Sequence, residues 1–551
     1  MGTVVVSYPL LQRCWKPSII LLALTLSLPI FTVVGFILYP STDVWRHLQE
    51  TVLTEYLFNS AMLMLGVSIG TLVIGVSCAW LTSVCVFPGK RFFSWALMMP
   101  LAFPAYIMAY TYTGMLDFAG PLQSWLRDTT GWGYGDYYFP EVRSLGGAMA
   151  MLSLVLYPYV YLLARAAFLE QSVCVLEVSR TLGCSVWSSF YRVALPLARP
   201  AIVAGLSLAL METLADFGTV SYFGLGVFTT GIFRTWFGLG DVAAAAKLAA
   251  ILLAFVFVLV EVERWSRKRA QYHHATHRYR SLPQYQLSGA KAWLACVACL
   301  LPLFFGFLLP AGQLGVWALR TYPDTVDARF LNLTLNSILL AAAAALIAVT
   351  LGAFLAYGKR LFPVKSVKAS VRIVATGYAI PGTVVAVGVL IPLAWFDNSL
   401  DALMREYFNV GSGLLLSGSL FAVMFAYMVR FLTISINSIE AGLGNIKASM
   451  DDAARSLAYT PREVLMRVHL PLMKGTVLTV MLIVFVDVMK ELPATLILRP
   501  FDFNTLAVRA FELASDERLA DSSTAALMIV TAGLVPAILL NRSISAVRTD
   551  T

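Results

Sequence analysis

The sequence predicts an all-α, polytopic membrane protein with about twelve spanning helices in two six-helix halves. Three observations predict it. Of 551 residues, 59% are hydrophobic and 13% charged, with a mean hydropathy of +0.76; soluble domains run at about half apolar and about a quarter charged. The apolar residues come in runs that match a bilayer core, which takes about twenty helical residues to cross. Basic residues gather in alternate loops between the runs, as the positive-inside rule requires.

In chain order the runs fall at 17–39, 57–83, 92–116, 146–168, 198–223, 243–262, 292–315, 333–357, 369–395, 412–434, 475–498 and 523–541. The first follows Arg13 and Lys16 and lacks a small-residue cleavage site, so no cleavable signal peptide is expected. Arg13/Lys16, Lys90/Arg91, Arg180/Arg192/Arg199, Arg264 to Arg269, Lys359/Arg360 with Lys365/Lys368, Arg455/Arg462/Arg467/Lys474 and Arg542/Arg548 mark one side of the membrane. Loops 118–145, 396–411 and 499–522 carry balanced charge, which puts both termini in the cytoplasm. The net charge of +9 therefore reflects topology and argues against a nucleic-acid partner. Cys296 and Cys299 form a C-x-x-C inside an apolar run with no second pair or nearby His, so they read as small buried side chains. His273, His274 and His277 lie in the basic linker and read as solvated.

The chain repeats itself. Asn59-Ser60 is answered by Asn336-Ser337, and Pro104 by Pro381, at one offset. A first half, 1–262, and a second half, 291–551, flank a cytoplasmic basic linker, 263–290. Each half begins inside and holds an even number of spans, so the halves have parallel topology.

Two cytoplasmic loops, each between the fourth and fifth helix of its half, align without a gap. The first, 171–197, includes Glu177, Arg180, Gly183, Leu195 and Pro196. The second, 446–472, includes Asp452, Ala453, Ala454, Arg455, Ala458, Leu470 and Pro471. Leu182, Phe190 and Val193 recur at helical spacing, so each loop reads as two short amphipathic helices around a turn near Gly183 or Ala458. An interfacial helix pair with no partner would explain one copy. Two registered copies point instead to a duplicated soluble partner.

These loops resemble the E-A-A-x-x-x-G…L-P loop of binding-protein-dependent ABC permeases. The six-helix plan of both halves resembles the type I importers of that family. By position Glu177 and Asp452 match the motif's acid, Ala453 and Ala454 its alanines, and Gly183 its glycine. The first copy departs with Val178-Ser179, the second with Asp for Glu and Ala458 for Gly. The resemblance implies a bacterial inner-membrane protein, with lipid around it and two ATPase subunits docked one per loop. It also implies a periplasmic substrate-binding protein. No G-x-x-x-x-G-K-[ST] phosphate loop occurs, since Gly89-Lys90 and Gly358-Lys359 are both followed by Arg. The chain is thus expected to bind no cofactor and to be no enzyme, with ATP-Mg on the partner subunit.

Fused permeases of this plan include importers of ferric iron, thiamine and anions such as sulfate or phosphonate. The stretches from Met211 to Thr219 and from Val486 to Thr495 resemble the ferric-iron permeases most. Within them Glu212 matches Asp487 and Asp216 matches Glu491. Each pair is spaced i, i+4 and is expected on one helical face, roughly 20–27 Å from the helix's cytoplasmic start. Ionisable groups at that depth face a cavity or a bundle interior. Four converging carboxylates would suit transient Fe(III), a hard cation, better than an anion. The competing reading is local pairing, with Lys490 as a partner, or a wet helix end at Pro493. Tyr106, Tyr110 and Tyr112 could add oxygens to the path, although an aromatic belt at the membrane interface is the expectation.

Two other classes share the coarse features. A secondary transporter also has two six-helix halves, but it needs no paired loops for an ATPase. A membrane-embedded enzyme could use the four carboxylates, but the Gly-x-Ser-x-Gly of Gly66 to Gly70 lies inside an apolar run and the His-x-x-x-His of His273 and His277 in the basic linker, so neither arrangement supports it.

Overall fold

The helix Leu53–Val84 illustrates how the composition becomes structure. Leu65, Ile69 and Val73 form an exposed apolar stripe at i, i+4 spacing, as a lipid-facing surface requires. The opposite face carries Gly75, where a Cβ would lie 2.8 Å from Val160 Cβ and 3.0 Å from the Tyr157 carbonyl oxygen. Small residues let two backbones approach where lipid supplies no hydrophobic drive between helices. The helix Leu145–Glu170 takes that place.

The computed structural model describes residues 9–133, 135–170, 186–268 and 285–534. Among them nine helices are long and apolar enough to cross a membrane, and eleven spans result if two bent helix pairs are each taken as one. The expected span 523–541 appears as the shorter apolar helix Ser523–Leu534, and its remainder lies outside the described residues. The only strands among the described residues are Cys85–Val86 and Tyr285–Gln286, which pair in parallel. The protein is all-α and polytopic.

Several boundaries differ from the sequence expectation, each for a local reason. Pro104 and Pro381 both act as N-caps, of Ala105–Leu116 and Gly382–Phe408. Each follows a short amphipathic or mixed helix, Lys90–Ala96 or Lys365–Val374, and one 3-10 turn. Proline lacks the amide that would continue the preceding helix, so the expected spans 92–116 and 369–395 break there. The first of these bends by 91°. The expected spans 198–223 and 475–498 stop early, at Ala215 and Met489.

The chain forms two compact units interleaved in sequence. One comprises residues 1–40 and 331–505. In it the first helix, Pro9–Gly35, packs on Lys365–Val374 and Gly382–Phe408. Gly388 permits this, because a Cβ there would collide with the Pro29 carbonyl. Trp15 stacks on Phe354 at 5.1 Å in the same unit. The other unit comprises 41–330 and 506–551, and its core includes Leu63, Val67, Met108, Leu152, Val155 and Val220. Cys299 is buried in it and Cys296 half-buried, with its thiol 3.2 Å from the Pro88 carbonyl oxygen.

Candidate coupling and translocation sites

The second loop is built from local capping. After the helix Leu420–Gly444, the helix Ala448–Ser456 ends in two backbone bonds, from Ala458 N–H to Arg455 C=O and from Tyr459 N–H to Ala454 C=O. This is a Schellman end, whose turning residue adopts a left-handed conformation. Ala458 has φ +60°. It therefore takes the geometry that glycine favours, although it is alanine. Thr460 then starts the next helix through a reciprocal box with Glu463: Thr460 Oγ1 accepts from the Glu463 amide, and Glu463 Oε2 accepts from the Thr460 amide. Pro461 occupies the first position, where its missing N–H costs nothing.

The site residues of this loop separate by face. Asp452, Ala453, Arg455 and Ala458 are exposed, with the Asp452 side chain 72% exposed. Arg455 lies 3.6 Å from Asp452, a surface pair of about 0–1 kcal/mol. Met450, Ala453 and Leu457 line an exposed apolar stripe beside them. Ala454 faces inward. Leu470 and Pro471 end the π turn Leu465–His469, and an 81° bend leads into Lys474–Met489.

In the first loop Glu177, Arg180 and Gly183 lie outside the described residues, as do His273, His274 and His277 of the linker. The described part keeps the register of the second loop. A π turn at Phe190–Ala194 stands 275 residues before the one at Leu465–His469, and Leu195-Pro196 follows it as Leu470-Pro471 follows the other. Here the helix Leu195–Ala215 continues directly from the turn.

The path acids are not arranged as one helical face. Glu212 and Asp487 sit in the last turn of their helices, but Asp216 and Glu491 lie beyond the helix ends. Asp216 accepts from the amides of Thr219 and Val220 and from the Thr219 hydroxyl, at 3.1, 3.2 and 2.9 Å. Glu491 accepts from the amides of Ala494 and Thr495 and from the Thr495 hydroxyl, at 2.9, 2.9 and 2.6 Å. Each acid caps the short helix that follows, Gly218–Tyr222 or Pro493–Leu498. Free N–H groups at a helix start attract a carboxylate, which is why the chain turns at these positions. Lys490 pairs with Asp487 at 2.8 Å, and Arg430 with Glu491 at 3.3 Å. Among the described residues no three His, Cys, Asp or Glu side chains are grouped to hold a metal ion.

Tyr106, Tyr110 and Tyr112 are buried inside their unit rather than set in an interfacial belt. Tyr110 packs against Tyr106 and Tyr222, and the Tyr112 hydroxyl donates to the Phe305 carbonyl.

Three groups escaped the sequence reading. Arg430 is the one basic residue in the apolar helix Leu420–Gly444, and a charge at such depth is itself a signal of function or pairing. Asp451 was hidden by Asp452, which carries the alignment to Glu177. It accepts from Arg360 Nε at 2.9 Å and lies 2.6 Å from His469 Nε2. His469 has no side-chain signal in its Val-His-Leu-Pro context.

No family model matches the chain. It is 27% identical over 541 residues to the Fe(3+)-transport system permease protein FbpB 2 of Haemophilus influenzae, covering 95% of this chain and 97% of the relative. The ferric transport system permease protein FbpB of Actinobacillus pleuropneumoniae is 24% identical over 83% of this chain and 66% of its own length. The molybdenum transport system permease protein ModB of Escherichia coli is 28% identical, and 99% of it fits within 40% of this chain. A whole single-half permease is thus accommodated with more than half of the chain to spare. These relatives are transport subunits, so the chain's part is transport rather than catalysis. With paired loops in register and a likeness running over nearly its whole length, the chain resembles the fused permeases of ABC importers, those of ferric-iron transport systems in particular.

Proposed function

We propose that the chain forms the translocation path for ferric iron handed over by a periplasmic binding protein. The observation that carries this reading is the likeness to a Fe(3+)-transport permease over 95% of the chain. Two copies of an ATPase subunit, with ATP-Mg bound, dock one per coupling loop. The exposed face of Met450, Asp452, Ala453, Arg455 and Leu457 supports that role, because it offers an apolar stripe with charges beside it. Both termini lie in the cytoplasm and lipid of the inner membrane surrounds the spans. The duplicated halves are 1–262 and 291–551, joined by the linker 263–290.

In this reading Glu212 and Asp487 bring negative charge to the path, while Asp216 and Glu491 hold the helix ends that shape it. A cation is drawn by carboxylates in a low-dielectric wall, and weak binding lets it leave. An oxyanion cargo is the second reading, favoured by relatives named for molybdenum and sulfate that match 40% and 34% of the chain. The two are separated by the ATPase rate of the reconstituted complex with its binding protein. Stimulation by ferric iron and not by molybdate or sulfate is expected; the reverse would assign the oxyanion.

A further inference from the structure

The second coupling loop is anchored to its helices by charged hydrogen bonds. Arg360 at the end of the helix Ala328–Leu361 donates Nε to Asp451 at 2.9 Å. Its two other nitrogens donate to the carbonyls of Leu443 and Ile446, at the end of Leu420–Gly444, with Ile446 at 3.0 Å. A cation at a helix C-terminus satisfies its last carbonyls and opposes its dipole. Asp451 belongs to the helix Ala448–Ser456, and its other oxygen lies 2.6 Å from Nε2 of His469, whose side chain is 0% exposed. His469 closes the π turn that leads to Lys474–Met489, and its ring meets Tyr357 edge-on at 5.2 Å. The Tyr357 hydroxyl donates to the Pro461 carbonyl at 3.0 Å. One carboxylate therefore joins the exposed loop helix to the ends of two spans and to the start of a third.

The first loop lacks these groups. The residues 275 positions before Asp451 and His469 are Leu176 and Ala194. Trp80, Phe168 and Phe190 pack instead, with Trp80 ring centroids 4.9 Å from Phe190 and 5.5 Å from Phe168. Apolar rings can slide with little penalty, whereas short charged hydrogen bonds fix distance and direction.

We propose that Arg360, Asp451 and His469 are positioning residues that transmit movement of the second loop helix to Lys474–Met489, so that the second loop couples ATP to transport through an ionic joint. The inference rests on the reading that an ATPase subunit docks on these loops.

The test uses the full complex of chain, ATPase and binding protein in proteoliposomes, with ferric-loaded binding protein as cargo donor. Two variants are compared with wild type: Asp451→Asn, and the double change Asp451→Leu with His469→Ala, which copies Leu176 and Ala194. Co-purification with the ATPase, ATP hydrolysis and iron moved per ATP are measured. Both variants are expected to keep the ATPase bound and hydrolysing while iron per ATP falls about tenfold, within the usual span of coupling free energies. Asp451→Glu should restore part of the ratio. Wild-type coupling in the double variant would overturn the proposal, and so would loss of ATPase binding in both, which would make Asp451 a folding residue. A wild-type complex that binds no ATPase would instead sink the underlying reading.

Discussion

Asp216 and Glu491, 275 residues apart, cap the helices after them in the same way, each accepting from the amides three and four residues on. The likeness extends to a threonine hydroxyl in each case. Among the described residues only Glu491 also meets a buried cation, Arg430, with side chains 1% and 10% exposed. Gly382 makes room for the pair, since a Cβ there would stand 2.9 Å from Glu491 Oε1.

That difference gives the first prediction. Glu491→Gln should destabilise the purified protein by about 3–5 kcal/mol, because it strands a buried charge. Asp216→Asn removes charge from a cap alone and should cost about 1 kcal/mol. Adding Arg430→Met to Glu491→Gln should recover most of the loss. Thermal unfolding in detergent orders the variants, and equal effects at Asp216 and Glu491 would contradict the assignment.

Ala458 supplies the second. Alanine in the left-handed region carries about 1–2 kcal/mol of strain, and glycine gives back part of that gain through its freer unfolded chain. Ala458→Gly should therefore stabilise by about 0.5–1 kcal/mol, and Ala458→Val should destabilise. The unfolding midpoints of the two variants should move in opposite directions; a shift in the same direction would count against the turn.

How far the sequence was legible follows from such particulars. The Leu-Pro endings report a backbone event that is local, so they could be read without coordinates, whereas the breaks at Pro104 and Pro381 fell inside the expected spans 92–116 and 369–395. The i, i+4 reading of Glu212 with Asp216 failed because it assumed a continuing helix, and spacing alone cannot reveal that Ala215 and Met489 are helix ends. The tyrosines 106, 110 and 112 looked interfacial because hydropathy does not distinguish a lipid-facing ring from one packed inside. Asp451, His469 and Arg360 come from three separate elements and meet only through tertiary packing, which leaves no periodic trace.

Topology is checked by labelling single cysteines in intact cells. Asp128→Cys and Phe501→Cys, both exposed, should react from outside with a membrane-impermeant maleimide. Leu457→Cys, also exposed, should react only after permeabilisation. The opposite pattern would invert the proposed orientation.

Docking is checked by reversing charge at matched positions. Glu177→Lys together with Asp452→Lys should abolish co-purification with the ATPase while leaving membrane insertion intact. A fully active complex from the double variant would remove both residues from the coupling site.

The central claim is tested most directly by uptake of radiolabelled ferric iron into proteoliposomes containing this chain and its ATPase, with binding protein outside and ATP inside. Iron accumulation that requires ATP, the binding protein and the chain together is the predicted result. Accumulation without the ATPase, or none with every component present while molybdate or sulfate accumulates, would contradict it.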